Sequence, residues 1–171
     1  MSTSDLYIVN RKSVSWVAEY RNGWGSAPIC WDFLAERYFP EVNFTDYMRP
    51  DFVGHDRKWK MVWGLTKDDR LSNEEKVTLM VTFDNAYVPV ECLKEAGEAL
   101  KKFYDLSRGW SEGKVNHWDD IGNDLIRLSA KKMHRQARGV GLSCTSVSDP
   151  WIGNNPDSLE KAWPIFEETR P

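Results

Sequence analysis

Residues 6–20 read LYIVNRKSVSWVAEY, two β-branched and aromatic runs on either side of a short polar break. In the second run Val14, Trp16, Ala18 and Tyr20 alternate with Ser15, Val17 and Glu19, the period-two pattern of a half-buried strand. Arg11-Lys12 between the runs suits a tight turn, so this stretch predicts an antiparallel hairpin.

Downstream of the hairpin the pattern turns helical. Asn22–Ser26 reads as a loop, Ser26 suits a helix cap, and Pro28 fits a first turn, where its missing N–H costs nothing. Ile29, Cys30, Phe33, Leu34, Arg37 and Tyr38 follow at helical spacing until Pro40 ends the run. Residues 40–57, interrupted by Pro40, Pro50 and Gly54, read as a long packed loop. Over 58–65, Trp59, Met61, Trp63 and Leu65 share one side as in a strand, although one helical turn would also bring Trp59 beside Val62 and Trp63.

Two signals compete over the next stretch. Ser72-Asn-Glu-Glu75 matches a capping box, which favours a helix. Val77, Leu79, Val81 and Phe83 alternate in a run rich in β-branched residues, and this decides for a strand over 77–83. A helix opening at Pro89 carries Leu93, Ala96, Gly97, Leu100, Phe103 and Tyr104 in one stripe. After a loop over 107–113, a second helix places Trp118, Ile121, Leu125 and Leu128 inward and runs on into the basic residues 131–138. Val140–Val147 reads as a last strand, 149–156 as loop and 159–163 as a short helix. Strands and helices do not alternate, which points to an α+β fold: a mainly antiparallel sheet of four to five strands on three to four helices. The expectation is one globular domain over 1–171, with 1–4 loose and 164–171 an extended tail.

Composition narrows the function classes. At 171 residues the chain can bury a sizeable core without metals or disulfides as staples. Lys plus Arg is 23 against 26 for Asp plus Glu, a net charge of −3, which argues against a chain-wide basic face for DNA. No apolar run approaches the ~20 residues of a membrane span, and Met1–Asp5 has neither the basic nor the apolar region of a secretory leader. A cytoplasmic protein with no membrane partner is expected. The three cysteines, Cys30, Cys92 and Cys144, form no Cys-x-x-Cys and read as small hydrophobes.

Gln136-Ala-Arg-Gly-Val-Gly141 fits the pattern by which one class of acetyltransferases cradles a pyrophosphate, but here it follows a helix and leads into a strand, the reverse of the required order. His117 or His55 with Asp119 or Asp84 would supply an imidazole oriented by a carboxylate. Asp119 and Asp120 equally suit the first turn of their helix, and the spacing matches no metal-ligand motif. Cys144 or Ser146 with His134 lacks a glycine-flanked elbow and a third group. No catalytic residue, metal site or cofactor is assigned.

Nine tryptophans are many for this length. Most suit the core, but Trp24, Trp110 and Trp151 stand beside Gly or Pro in loops, where tryptophan and arginine anchor interfaces. Trp24, Trp110, Trp151 and Arg108 are therefore the candidate partner-binding residues, and Lys131, Lys132, Arg135 and Arg138 form a charged patch. Three readings follow. The favoured one is a non-catalytic protein-binding module of the inhibitor, adaptor or immunity type, whose partner is another protein. The alternatives are a small hydrolase or transferase with a His/Asp site, and a nucleic-acid binder through 131–138.

Overall fold

Thr3–Asn10 (β1) and Val14–Arg21 (β2) form the antiparallel hairpin, closed by Asn10 N donating to Ser13 O at 2.8 Å. The computed structural model describes residues 3–10, 13–21, 26–41, 61–62, 64–82, 87–133 and 135–143. Thr3 and Ser4 are paired strand residues, opposite Arg21 and Tyr20, and not part of a loose start. Leu6 pairs with Ala18 but Tyr7 pairs with Trp16, so Val17 is an extra residue, a β-bulge. The bulge shifts the side-chain period by one, which corrects the expected face. Ala18 and Tyr20 lie with Leu6 toward the main core, whereas Val14 and Trp16 lie with Val9 and Tyr7 on the far face. Trp16 is consequently 61% exposed.

Ala137–Ser143 (β4) pairs antiparallel with β1 and, on its other side, with the two-residue Val88–Pro89 (β3). The sheet is antiparallel throughout, in the order β2-β1-β4-β3. Gly139 has a packing reason in this arrangement: a Cβ there would stand 2.1 Å from the Val88 carbonyl oxygen. The glycines of 136–141 therefore lie in a strand and not at the mouth of a helix, as a pyrophosphate cradle requires. Of the expected strand over 140–147, residues 144–147 lie outside the described residues, as do 149–156, the short helix at 159–163 and the tail at 164–171.

Among the described residues, four helices of nine or more residues complete the α+β fold, all contributing to one core on the inner face of the sheet: Ser26–Tyr38 (α1), Asn73–Val81 (α2), Leu93–Ser107 (α3) and Trp118–Ser129 (α4). The strand expected over 77–83 is a helix through Val81. Ser72 Oγ accepts from Glu75 N at 3.3 Å and Glu75 Oε2 accepts from Ser72 N at 2.9 Å, a complete capping box. Val77, Thr78, Leu79, Met80 and Val81 are all buried, so the segment is apolar all round and an alternating pattern can be picked out of it. The threonine hydroxyls are absorbed by the helix, Thr78 Oγ1 donating to Glu74 O at 2.7 Å and Thr82 Oγ1 to Leu79 O at 2.6 Å. Upstream, Met61, Val62 and Gly64 are helical and Leu65–Lys67 is a 3-10 turn, which replaces the strand reading of 58–65 by the helical one where that stretch is described.

Glu75 also ties α2 to α1. It is 1% exposed; its Oε2 accepts from Tyr38 Oη at 2.7 Å, and its Oε1 faces Arg37 Nη1 at 3.3 Å. Burial and the Glu75 carboxylate push the Tyr38 phenol up to about 12. Deeper in, Trp31 Nε1 donates to Thr82 Oγ1 at 2.9 Å.

Helices α3 and α4 bury the stripes read from their sequences, Leu93, Ala96, Gly97, Leu100 and Phe103 against Trp118, Ile121, Leu125 and Leu128. They meet glycine to glycine. A Cβ on Gly97 would stand 2.6 Å from Gly122 O, and a Cβ on Gly122 would stand 2.7 Å from Gly97 O. Gly122→Ala is therefore expected to lower the unfolding free energy by about 1–3 kcal/mol, read from the midpoint of a urea transition; wild-type stability would mean that the backbones are not in contact. Ser72→Ala is expected to cost about 1 kcal/mol in the same measurement, because it empties one half of the capping box.

Candidate partner-binding face

The end of α3 and the loop behind it are built from hydroxyl and amide groups that bind one another. Ser111 N donates to Ser107 O at 2.8 Å and Lys114 N to Ser111 O at 2.9 Å. Asn116 Nδ2 reaches Ser111 Oγ at 3.1 Å and Ser107 Oγ at 3.4 Å, while Asn116 Oδ1 accepts from Trp118 N at 3.2 Å. Gly113 supplies the positive φ of 75° that the turn requires. The result is a tied loop spanning the gap between two helices.

Trp110 leans from this loop onto α1. Its ring meets Phe33 edge-on at 6.3 Å and 80°, and its Nε1 donates to the Glu36 carboxylate. Lys114 Nζ lies 3.8 Å from the centroid of the same ring, a cation–π contact. Trp110 is thus half-buried and braced. Arg108 is exposed at the end of α3 and lines an open cleft of about 660 Å³ with Tyr104, Asp105, Ser111, Glu112 and Asn116. Leu106, 45% exposed, and Val115, 43% exposed, flank this stretch of sequence. Sequence reasoning missed both, although Leu106 falls off the helical stripe and so could have been found.

His117, the residue before α4, is held on both ring nitrogens. Nδ1 lies 2.9 Å from Asp120 Oδ2 and Nε2 lies 2.9 Å from the Arg21 carbonyl oxygen. Its backbone N–H donates to Ser26 Oγ at 3.0 Å, and the neighbouring Trp118 Nε1 donates to Ser26 O at 3.0 Å. Ser26 thus uses its hydroxyl on a distant helix start. Next to it, Tyr20 Oη donates to Asp124 Oδ2 at 2.7 Å, and burial with that carboxylate drives the phenol far above its ordinary range. Asp119 is not the partner of His117: it faces Lys101 Nζ at 3.4 Å and accepts from Asn123 Nδ2 at 3.0 Å. The carboxylate that His117 does hold is one helical turn on, an i,i+3 spacing visible in the sequence.

The basic run does not continue the helix. α4 ends at Ser129, Lys131, Lys132 and Arg135 are exposed in the turn that follows, and Arg138 is already in β4. Ala130 N and Lys131 N close the helix onto Ile126 O and Leu128 O, and this backbone closure stops the run of helical turns. Trp24, Trp151, His55, Asp84, His134, Cys144 and Ser146 lie outside the described residues. Among the described residues, no three His, Cys, Asp or Glu side chains are grouped to hold a metal ion, and no helix is long and apolar enough to cross a membrane. Cys30 and Cys92 are buried. No family model, curated protein or solved structure matches the chain.

Because Trp110 is packed against Phe33 and not free, Trp110→Ala is expected to lower stability by about 1–2 kcal/mol while the unfolding transition stays cooperative, as followed by circular dichroism. An unchanged melting temperature would mean that the Phe33 and Glu36 contacts are not held in solution.

Proposed function

We propose that the chain is a non-catalytic protein-binding module of the inhibitor, adaptor or immunity type, and that its partner sits on the end of α3 and the following loop. The observation that carries this reading is the occurrence of Leu106, Arg108, Trp110, Lys114 and Val115 within ten residues, of which Arg108 and Lys114 line an open cleft and Leu106 and Val115 are exposed. Interfaces draw most of their energy from a few tryptophan and arginine anchors inside a polar rim. A braced indole and a tied loop lower the ordering cost that a partner would otherwise have to meet. Trp24 and Trp151 join the proposal on sequence grounds as further anchors of the same kind.

Arg108 is the better test residue, because it is exposed and its loss disturbs no packing. Affinity capture with the wild-type chain, followed by size-exclusion chromatography with light scattering, is expected to return a stoichiometric complex. Arg108→Glu, with an unchanged melting curve, is expected to weaken that complex by at least ten-fold, the size of an interfacial anchor. A complex indifferent to both Arg108→Glu and Leu106→Ser would remove this face from the reading.

A further inference from the structure

The hairpin leaves a second interaction surface, at the edge of the sheet. In the order β2-β1-β4-β3, β2 is an outer strand eight residues long, and no described strand lies beyond it. An open edge is a row of unpaired N–H and C=O groups ready to take up another strand. Asn10 N donates to Ser13 O, so those two residues face each other as a hydrogen-bonded pair, and alternation from there sets which groups turn away from β1. They are those of Val14 and Trp16 before the bulge at Val17, and of Glu19 and Arg21 after it. His117 Nε2, 2.9 Å from Arg21 O, agrees with that count and closes that carbonyl at the end of the strand.

The bulge decides what fits this edge. The outward residues stand at intervals of two, three and two along β2. A regular strand offers outward groups at every second residue and falls out of step at the bulge, which is how bulges blunt an edge. Intervals of two, three and two, however, read the same in either direction. A second copy of β2, running antiparallel about a two-fold axis between Val17 and Ala18, meets every outward residue with an outward residue. Trp16 then faces Glu19 of the partner subunit, Val14 faces Arg21 of the partner subunit, and both pairs recur across the axis. The side chains suit this register. Val14, Trp16, Glu19 and Arg21 share the outer face of the sheet with Val9, Tyr7, Asp5 and Thr3. Trp16 Nε1 donates to Asp5 Oδ1 at 3.3 Å, which fixes the ring while leaving most of it open. The Arg21 side chain is 80% exposed, with Glu19 3.8 Å away. Diagonal neighbours across an antiparallel pair are within reach of long side chains, so a guanidinium from the copy can lie on the indole. On the inner face Ser15 is exposed, so the helices stop short of the edge near the hairpin and leave room for the copy.

We propose that β2 is a homodimer interface: two copies join edge to edge through Trp16 and Glu19 into one continuous sheet, and the partner's Arg21 covers each exposed indole. The assembly closes at two chains. Once both β2 edges are used, the outer strand among the described residues is β3, whose two residues are too few to carry the pairing further.

The test is sedimentation equilibrium of the full chain over a series of concentrations, with amide hydrogen exchange followed by NMR on the same samples. A monomer–dimer equilibrium is expected, and the Trp16 and Glu19 amides, open to water in the monomer, should exchange more slowly as the dimer fills. Trp16→Ser should weaken the dimer by roughly ten-fold or more, the size of an interfacial anchor. Glu19→Pro removes an outward donor, a change that an edge strand tolerates, and should leave a folded monomer. Should Glu19→Pro not fold, Trp16→Ser and the wild-type amides decide the question. A chain that stays monomeric at every concentration, a dimer whose Trp16 and Glu19 amides still exchange freely, a dimer unaffected by Trp16→Ser, or one retained by folded Glu19→Pro each overturns the proposal. Open-ended aggregation in place of a closed dimer overturns it as well.

Discussion

The contact on which the rest of the molecule depends is the crossing of Gly97 on Gly122. Either Cβ would fall within 2.7 Å of the opposing backbone, so α3 and α4 approach as closely as two helices can. Nothing but hydrogen fits at the crossing, and the large side chains flank it instead, with Phe103, Leu100, Trp118, Ile121 and Leu125 all essentially inaccessible to water. Close approach also brings Lys101 within reach of Asp119 and Asn123, at 3.4 and 2.5 Å. Interiors are packed like crystals, so a helix pair held this tightly behaves as one rigid unit. The loop from Arg108 to His117 spans a gap of fixed width, and its shape follows from that width.

A polar knot fastens the same unit to the sheet. Arg21 O, Ser26 Oγ and Ser26 O accept from His117 Nε2, His117 N and Trp118 Nε1, joining the end of β2, the start of α1 and the start of α4. Tyr20 adds a fourth bond, to Asp124. These partners are separated by about a hundred residues in the chain, so each bond closes a long loop whose entropy the core has already met. Arg21 O and Asp120 can only accept, and both ring nitrogens of His117 point at them. This histidine is consequently a fastening of the fold. The imidazole–carboxylate pairing that suggested acid–base chemistry in the sequence has a structural use here.

How much of this was legible beforehand depends on whether a pattern had one reading. α3 and α4 were readable because each has one apolar stripe against a charged face, and only a 3.6-residue period explains that. α2 was not, because Val77, Thr78, Leu79, Met80 and Val81 are all buried and such a run satisfies both periods; the capping box at Ser72 and Glu75 carried the better information because it is local chemistry with a fixed geometry. The hairpin was legible, but not the bulge at Val17, which no residue type announces and which moves Trp16 from the core to the surface. Arg108 and Trp110 stood out through loop composition. Lys114 over the indole, and the exposure of Val115, depend on how the loop closes between two helices, which is a property of the Gly97–Gly122 crossing far from the loop itself.

The candidate face and the basic turn stand at the two ends of one helix. The loop that carries Arg108 and Trp110 leads into the first residue of α4, and the basic turn leaves its last. Twelve residues at ~1.5 Å each hold them ~18 Å apart, on a helix that is itself locked to α3 by glycine contact and to α1 and β2 by the knot at Ser26. Asp119 and Asp120 stand in the first turn of α4 and Arg127 in its last, so the helix also separates charge. Charges at the two ends are farther apart than a Debye length of ~8 Å at physiological salt, so each end presents its own field. The rigidity of this frame, which holds the loop at one end of α4 and the turn at the other, follows from two glycines.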